Sequence, residues 1–332
     1  MGEHGPRSCD VRVRDVLDDV TRQLVASRPL TMERDREVLV GGEPVTADRE
    51  ARWLVAAVLD VAPAALARSI AGDARIAESD AARVLAAAVR RARGEPLAYC
   101  VGTAPFRHLE LLVDRRVLIP RPETEVVVGE ALRITAGHPG GVAVDIGTGS
   151  GAIALSLATE GRFERVIATD ISLDALAVAA GNAARVRATH PGAAAVEFRH
   201  GADLAPLSGV RARVIVSNPP YIAYEEAAAL PSAVRDWEPP VALFAADQGM
   251  ARYRAILAAA PAVLEPDGWV VFEVDARRAQ VTAAMASAAG YAQVQVVRDL
   301  TGRERVVLAQ YVPSGISSSL VVSSAGEADL NA

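Results

Sequence analysis

Lysine is absent: all 35 basic residues of the chain are arginine. This excludes a Schiff-base lysine, a pyridoxal phosphate anchor and the lysine of a phosphate-binding loop. Cysteine is nearly absent, and Cys9 and Cys100 stand far apart. That argues against a disulfide framework and a thiolate metal site, and fits a reducing cytoplasm. The five histidines, His4, His108, His138, His190 and His200, have no paired helical spacing, so no zinc hydrolase site is expected. No apolar run reaches the roughly 18 residues of a membrane helix. The start, Met1 to Arg7, has no apolar segment behind a basic end, so neither export nor membrane attachment is expected and the cytoplasm is the expected compartment. A formal charge of −6 weighs against a dedicated nucleic-acid binder without excluding a local basic patch.

What is present is a chain of 332 residues, 51% apolar, enough for more than one core. Residues 1–96 read as helical, with apolar residues at three- and four-residue steps in 51–59 and 81–92. Asp48 and Ser79 are the expected N-caps, and Arg83, Arg90, Arg91 and Arg93 the expected solvated face. Residues 97–118 read as a hairpin connector, from the β-favouring runs Tyr99-Cys100-Val101-Gly102 and Leu109-Glu110-Leu111-Leu112-Val113. The two prolines of Ile119-Pro120-Arg121-Pro122-Glu123-Thr124-Glu125 make a stiff arm ahead of a helix that Thr124 can cap. An interdomain strut and a substrate gate are equally compatible with that spacing. Residues 119–313 alternate strand and helix signals, with strands expected at Val142 to Ile146, Arg165 to Asp170, Val196 to Phe198, Arg213 to Val216, Trp269 to Val274, Gln293 to Val297 and Val306 to Gln310. This predicts a doubly wound α/β sheet ending in an antiparallel hairpin. Residues 314–332, rich in serine and small residues, read as a fraying tail.

Two stretches carry chemistry. Gly147-Thr148-Gly149-Ser150-Gly151, between strand and helix, lets the backbone approach a ligand at the carboxyl edge of the sheet. The spacing is Gly-x-Gly-x-Gly, not that of a dinucleotide fingerprint, and Asp145 adds a carboxylate that disfavours a pyrophosphate and favours the cationic S-adenosylmethionine. Asp170, at the end of the next strand, is placed to accept hydrogen bonds from ribose hydroxyls. The second stretch is Ser217-Asn218-Pro219-Pro220-Tyr221-Ile222. Its prolines hold the chain extended, so that the Asn218 side-chain oxygen and the Pro219 carbonyl form a rigid acceptor pair for a planar –NH2 group, with Tyr221 offering a ring face.

These stretches, with Arg93-Gly94-Glu95-Pro96-Leu97-Ala98-Tyr99, the 119–125 arm, Val234-Arg235-Asp236-Trp237-Glu238-Pro239 and Asp299-Leu300-Thr301-Gly302-Arg303-Glu304-Arg305, resemble the protein-(glutamine-N5) methyltransferases that act on peptide-chain release factors. The resemblance runs from about 51 to 310. It implies a Rossmann-like class I methyltransferase domain joined through a β-hairpin to a small N-terminal helical domain that recognises the substrate. It also implies S-adenosylmethionine on the glycine loop and Asp170, adenine near Asp203 and Leu204, and the glutamine amide of a release factor's Gly-Gly-Gln held by Asn218, Pro219, Pro220 and Tyr221. A monomer acting in translation termination is expected. Ala202, between Gly201 and Asp203, and Val274-Asp275, where a glycine is more usual, depart from the family pattern. Asn-Pro-Pro-Tyr is shared with adenine-N6 methyltransferases, so a nucleic-acid enzyme acting on a flipped base, or a small-molecule N-methyltransferase of secondary metabolism, are the alternatives.

Overall fold

The computed structural model describes residues 10–32, 39–40, 43–44 and 46–313. The expected tail, Cys9 and parts of residues 33–45 lie outside the described residues. Helices α1 (Val13–Met32), α2 (Ala47–Val58), α3 (Pro63–Ala71), α4 (Glu78–Ala92) and α5 (Leu97–Val101) come first. Two-residue strands β1 (Val11–Arg12), β2 (Leu39–Val40), β3 (Glu43–Pro44) and β4 (Arg75–Ile76) pair antiparallel, β1 with β4 and β2 with β3. Val13, Val16, Leu17, Val20 and Leu24 form one stripe of α1, buried in a cluster with Leu54 and Val55 of α2 and Val84 and Ala88 of α4.

Several local expectations are corrected here. Thr46 caps α2, its hydroxyl accepting from the Arg49 N–H at 3.3 Å. Asp48 lies inside the first turn, where the helix dipole favours it, and pairs with Arg52. The cap position of α4 is Ala77, which leaves Ser79 in its first turn. The arginine face is only partly solvated: Arg91 is buried, paired with Glu50 and donating to the Glu95 carbonyl at 3.1 Å. Arg90 pairs with the buried Glu95 at 2.5 Å. Tyr99, Cys100 and Val101 belong to α5, which starts after Pro96 and ends at the left-handed Gly102. Burial of Tyr99 and Cys100 outweighs their β preference.

The hairpin is β5 (Thr103–Phe106) with β6 (Leu109–Leu112). There follow α6 (Pro122–Thr135), β7 (Val142–Ile146), α7 (Ala152–Glu160), β8 (Arg165–Asp170), α8 (Leu173–Thr189), β9 (Ala195–His200), β10 (Ala212–Ser217), α9 (Ser232–Arg235), α10 (Pro240–Leu243), α11 (Ala251–Ala259), β11 (Leu264–Glu273), α12 (Ala279–Ala288), β12 (Ala292–Arg298) and β13 (Glu304–Gln310). With Pro122 at its start, α6 is capped at Arg121, so Thr124 falls inside the first turn and is not its cap. β11 begins five residues ahead of the expected Trp269, at Leu264, and ends at Glu273.

The seven strands of the main sheet run β12-β13-β11-β10-β7-β8-β9. Neighbours among β7 to β11 are parallel, and β13 is inserted antiparallel between β11 and β12. Every residue of β7 is buried. Val144 and Ile146 enter a core with Leu207, Tyr253 and Ile256, whereas Ala143 enters the opposite one with Val127 and Leu155. Both faces are therefore covered, as a parallel sheet requires. Chain order reverses between β7 and β10, and both loops singled out above leave the sheet at those two adjacent carboxyl ends.

Candidate active site

The glycine loop is held from beneath. Gly147 and Thr148 both donate their N–H to the Thr169 carbonyl at 2.9 Å. Asp145 Oδ2 accepts from the Thr148 hydroxyl at 2.6 Å and from the Ala154 N–H at 3.1 Å. Asp145 Oδ1 is buried and accepts no hydrogen bond among the described residues. Burial pushes this carboxyl up to about 7, against the pull of Thr148 and Ala154. Gly149 has φ of 54° and open space where a Cβ would stand; Gly151, at φ of 86°, brings the loop so close to α7 and α8 that a Cβ would lie 3.1 Å from Leu155. Asp170 Oδ2 accepts from the Gly149 N–H and Oδ1 from the Ser172 N–H, each at 2.9 Å. Each oxygen keeps acceptor capacity. From α8, the buried Asn182 donates to the carbonyls of Ser150 and Leu112 and accepts from the Leu112 N–H, joining this loop to the hairpin.

The second loop leaves β10 at Ser217, whose hydroxyl donates to the Ile146 carbonyl at 2.8 Å and ties the two strand ends together. Asn218 Nδ2 donates to Thr124 Oγ1 at 3.2 Å, and Thr124 Oγ1 donates to Glu273 Oε2 at 2.5 Å. Asn218 Oδ1 and the Pro219 carbonyl accept no hydrogen bond among the described residues. Glu273 is fully buried, and that burial pushes its carboxyl up to about 7, while the Thr124 hydroxyl and the Arg305 and Arg121 guanidiniums pull it down. Beyond the prolines the chain is pinned, the Ile222 N–H donating to the Leu243 carbonyl at 3.0 Å and the Ala245 N–H to the Ile222 carbonyl at 2.9 Å. A Cβ on Gly249 would collide with the Tyr221 carbonyl.

The arm borders the same cleft as both loops. The Tyr99 hydroxyl donates to the Val117 carbonyl at 2.5 Å, fastening α5 to the chain just ahead of the arm. Arg121 pairs with the buried Glu238 at 2.5 Å, and Arg115 lies 4.2 Å from the centre of the Trp237 ring. The arm is thus a strut that also walls the cleft, since Pro120, Arg121 and Thr124 line it.

Of the expected site residues, Gly147, Thr148, Gly149, Ser150, Asp170, Asp203, Asn218, Pro219 and Pro220 line this one cleft. Asp145, Gly151, Leu204 and Tyr221 stand behind the lining, Leu204 within the core and Tyr221 packed against it. Local motifs did not reveal the partnership of Thr124 and Glu273, or the clamp Asn182. Three arginines line the cleft and each is matched by a carboxylate: Arg116 by Asp114 at 2.6 Å, Arg121 by Glu238 at 2.5 Å, and Arg252 by Asp203 at 3.0 Å. A pyrophosphate would meet no unmatched cation among them, whereas a ligand with ribose hydroxyls and a positive charge meets acceptors.

The chain is similar to known methyltransferases. Residues 130–233 match the family described as "Methyltransferase small domain" and residues 38–102 that described as "PrmC N-terminal domain". The chain is 42% identical to the release factor glutamine methyltransferase of Cereibacter sphaeroides over 230 residues, 69% of this chain and 80% of that protein. It is 37% identical to that of Moorella thermoacetica over 298 residues, 90% of this chain and 98% of that protein. Among solved structures, the release factor-specific protein-(glutamine-N5) methyltransferase of Alicyclobacillus acidocaldarius is 30% identical, covering 59% of this chain and 95% of that one with a TM-score of 0.37.

Proposed function

The chain belongs to the release factor glutamine methyltransferase family, and from that premise we propose that it transfers a methyl group from S-adenosylmethionine to the side-chain amide nitrogen of the glutamine in a release factor's Gly-Gly-Gln turn. Its sheet is that of a class I methyltransferase. The observation that carries the reading is the pair of free acceptors, Asn218 Oδ1 and the Pro219 carbonyl, beside a cleft whose cations are matched and whose Asp170 retains acceptor capacity.

When bound, S-adenosylmethionine supplies a methyl group on a positively charged sulfur. The glycine loop and Asp170 would hold it through main-chain approach and ribose hydroxyls, Asp203 would border the adenine with Leu204 in the core behind it, and the buried Asp145 anchors the loop from beneath. An amide nitrogen is a poor nucleophile because its lone pair is delocalised. The chain's contribution is therefore orientation: two acceptors take both amide hydrogens and turn the lone-pair face toward the methyl group, against the wall formed by Pro220, with Tyr221 packed behind it. The nitrogen becomes strongly acidic only once methylated, so its proton leaves to solvent and no histidine base is required. The N-terminal helices grip the rest of the factor. The reading implies a cytoplasmic monomer acting in translation termination. A relative that spans nearly the whole chain favours neither an adenine-N6 nor a small-molecule substrate.

Labelled S-adenosylmethionine incubated separately with a release factor, nucleic acid and cell extract should label the factor, with mass spectrometry placing one methyl group on the Gly-Gly-Gln amide nitrogen. Label on adenine, or only on a small metabolite, would overturn the assignment. Calorimetry should show Asp170→Ala weakening cofactor binding by about 1–3 kcal/mol, the worth of its charge-assisted hydrogen bonds. Unchanged affinity would mean that the ribose is held elsewhere.

A further inference from the structure

We propose that Thr124 and Glu273 are positioning residues that set which end of the Asn218 amide faces the substrate, making the ionised Glu273 carboxylate a condition for methyl transfer. The inference rests on the role given to Asn218 above. A threonine hydroxyl has one proton. With Glu273 ionised, that proton is committed to Glu273 Oε2 at 2.5 Å, and Thr124 Oγ1 can only accept from its other neighbour. The neighbour is Asn218 at 3.2 Å, so the amide must present Nδ2 to Thr124 and keep Oδ1 for the substrate. With Glu273 protonated on Oε2, the chain of donors reverses: the acid donates to Thr124, Thr124 donates to Asn218, and the amide turns over to offer Oδ1 to Thr124. Asn218 then shows –NH2 to an incoming –NH2, two donors with no acceptor between them.

The groups that face Glu273 are compatible with its titrating near neutral pH. Glu123 on α6 raises its carboxyl and Arg121 in the arm lowers it; Arg305 on β13 is buried and also lowers it. The Tyr253 hydroxyl from α11 takes the main-chain carbonyl of Glu273 at 2.9 Å, leaving the carboxylate to Thr124. The Tyr221 phenol, whose ionisation burial opposes first and the same carboxylate second, remains neutral. Asp275, two residues on, is engaged by Arg277 at 2.8 Å. Burial carries the Glu273 carboxyl up to about 7, so the productive orientation is populated above that pH and lost below it.

Stability moves the other way. A carboxyl raised on folding stabilises the protein at low pH, and that contribution fades as pH rises through the folded value. An activity that climbs with pH is therefore not a reflection of folding. Asp145 titrates in the same range beneath the cofactor loop, but its titration would register in cofactor affinity.

The test combines kinetics with a substrate-free readout. In the wild type at saturating cofactor, kcat with a release factor should rise about tenfold or more from pH 6 to pH 8, with cofactor affinity measured in parallel to report Asp145 separately. The side-chain amide resonances of Asn218 should titrate in step without any substrate. Glu273→Gln, whose amide can donate to Thr124 as the protonated acid does, should remove both the pH dependence and the Asn218 titration and hold kcat at the low-pH level. Thr124→Val should lower kcat about ten- to a hundredfold with little change in KM, and Thr124→Ser should restore most of it. A Glu273→Gln enzyme with the wild-type rate at pH 8, a Thr124→Val enzyme within about threefold of wild type, or Asn218 resonances that do not titrate would each overturn the proposal. Failure of the wild type to methylate a release factor would count instead against the function, because the Asn218 resonances need no substrate.

Discussion

Asn218→Ala is expected to lower kcat about 10²–10³-fold, the usual cost of removing one preorganised polar group from the reacting centre, while cofactor affinity stays within about threefold. The effect should be confined to chemistry because the one hydrogen bond that side chain makes among the described residues is to Thr124 Oγ1, which has Glu273 as its other partner. The loop is held at Ser217 by the Ile146 carbonyl and beyond the prolines by Leu243 and Ala245, and Thr124 keeps its bond to Glu273. The prolines fix their own φ whatever precedes them. Alanine therefore removes the acceptor from a loop that remains in place, leaving the substrate amide with only the Pro219 carbonyl. Single-turnover rates with a release factor, beside calorimetry with the cofactor, measure the two quantities separately. A rate within about tenfold of wild type, a barrier change of ~1.4 kcal/mol, would show that the amide is held by other groups.

Both loops of the cleft were legible in the sequence because each is a local device. Gly147 to Gly151 follows a strand and opens a helix, and Asn218 to Tyr221 follows a strand with two prolines. Their meeting could be expected once the strands were read as one doubly wound sheet, since its switch point brings two strand ends together. What connects the loops to the rest of the molecule was not legible. Thr124 reaches Asn218 across 94 positions and Glu273 across 149, and no periodicity encodes such a contact. The local signal at Thr124, a capping residue before an apolar helix, pointed elsewhere, because Pro122 is better suited to the first helical position and moved the cap to Arg121.

Burial explains the other differences. Arg91 falls on the same stripe of α4 as Val84 and Ala88 and is carried inward with them, where Glu50 meets it; composition alone assigns an arginine there to solvent. Tyr99 and Cys100 have β-favouring side chains but lie between Pro96, which starts a helical turn, and Gly102, which ends it in the left-handed region. The Arg-Gly-Glu-Pro-Leu-Ala-Tyr stretch thus acts as a joint. Glu95 gathers Arg90 and Arg115, and the Tyr99 hydroxyl fastens α5 to Val117, just ahead of the arm that walls the cleft.

Free glutamine should be a very poor substrate, with kcat/KM lower than for an intact release factor by at least about a thousandfold and a loss that falls on kcat as well as KM. The two acceptors fix only the –NH2 end of the side chain, and two hydrogen bonds do not offset the lost rotational and translational freedom of a small flexible molecule. The remaining orientation must come from elsewhere on the substrate. The protein has surface suited to it: Ile171 and Val241 line the cleft and stand 49% and 53% exposed, and Tyr224, stacked on Phe244 close to the pinned loop, is 64% exposed. A protein substrate can cover such apolar groups, at roughly 25 cal/mol per Å² removed from water; free glutamine cannot. Glycines on the substrate turn would let its backbone enter between the arm and the second loop without side chains meeting Pro120 or Pro220. Free glutamine, a Gly-Gly-Gln tripeptide and the intact factor, compared at saturating cofactor, should therefore rank in that rising order. Free glutamine within about tenfold of the factor would mean that the acceptor pair alone orients the amide and that the exposed apolar rim has another use.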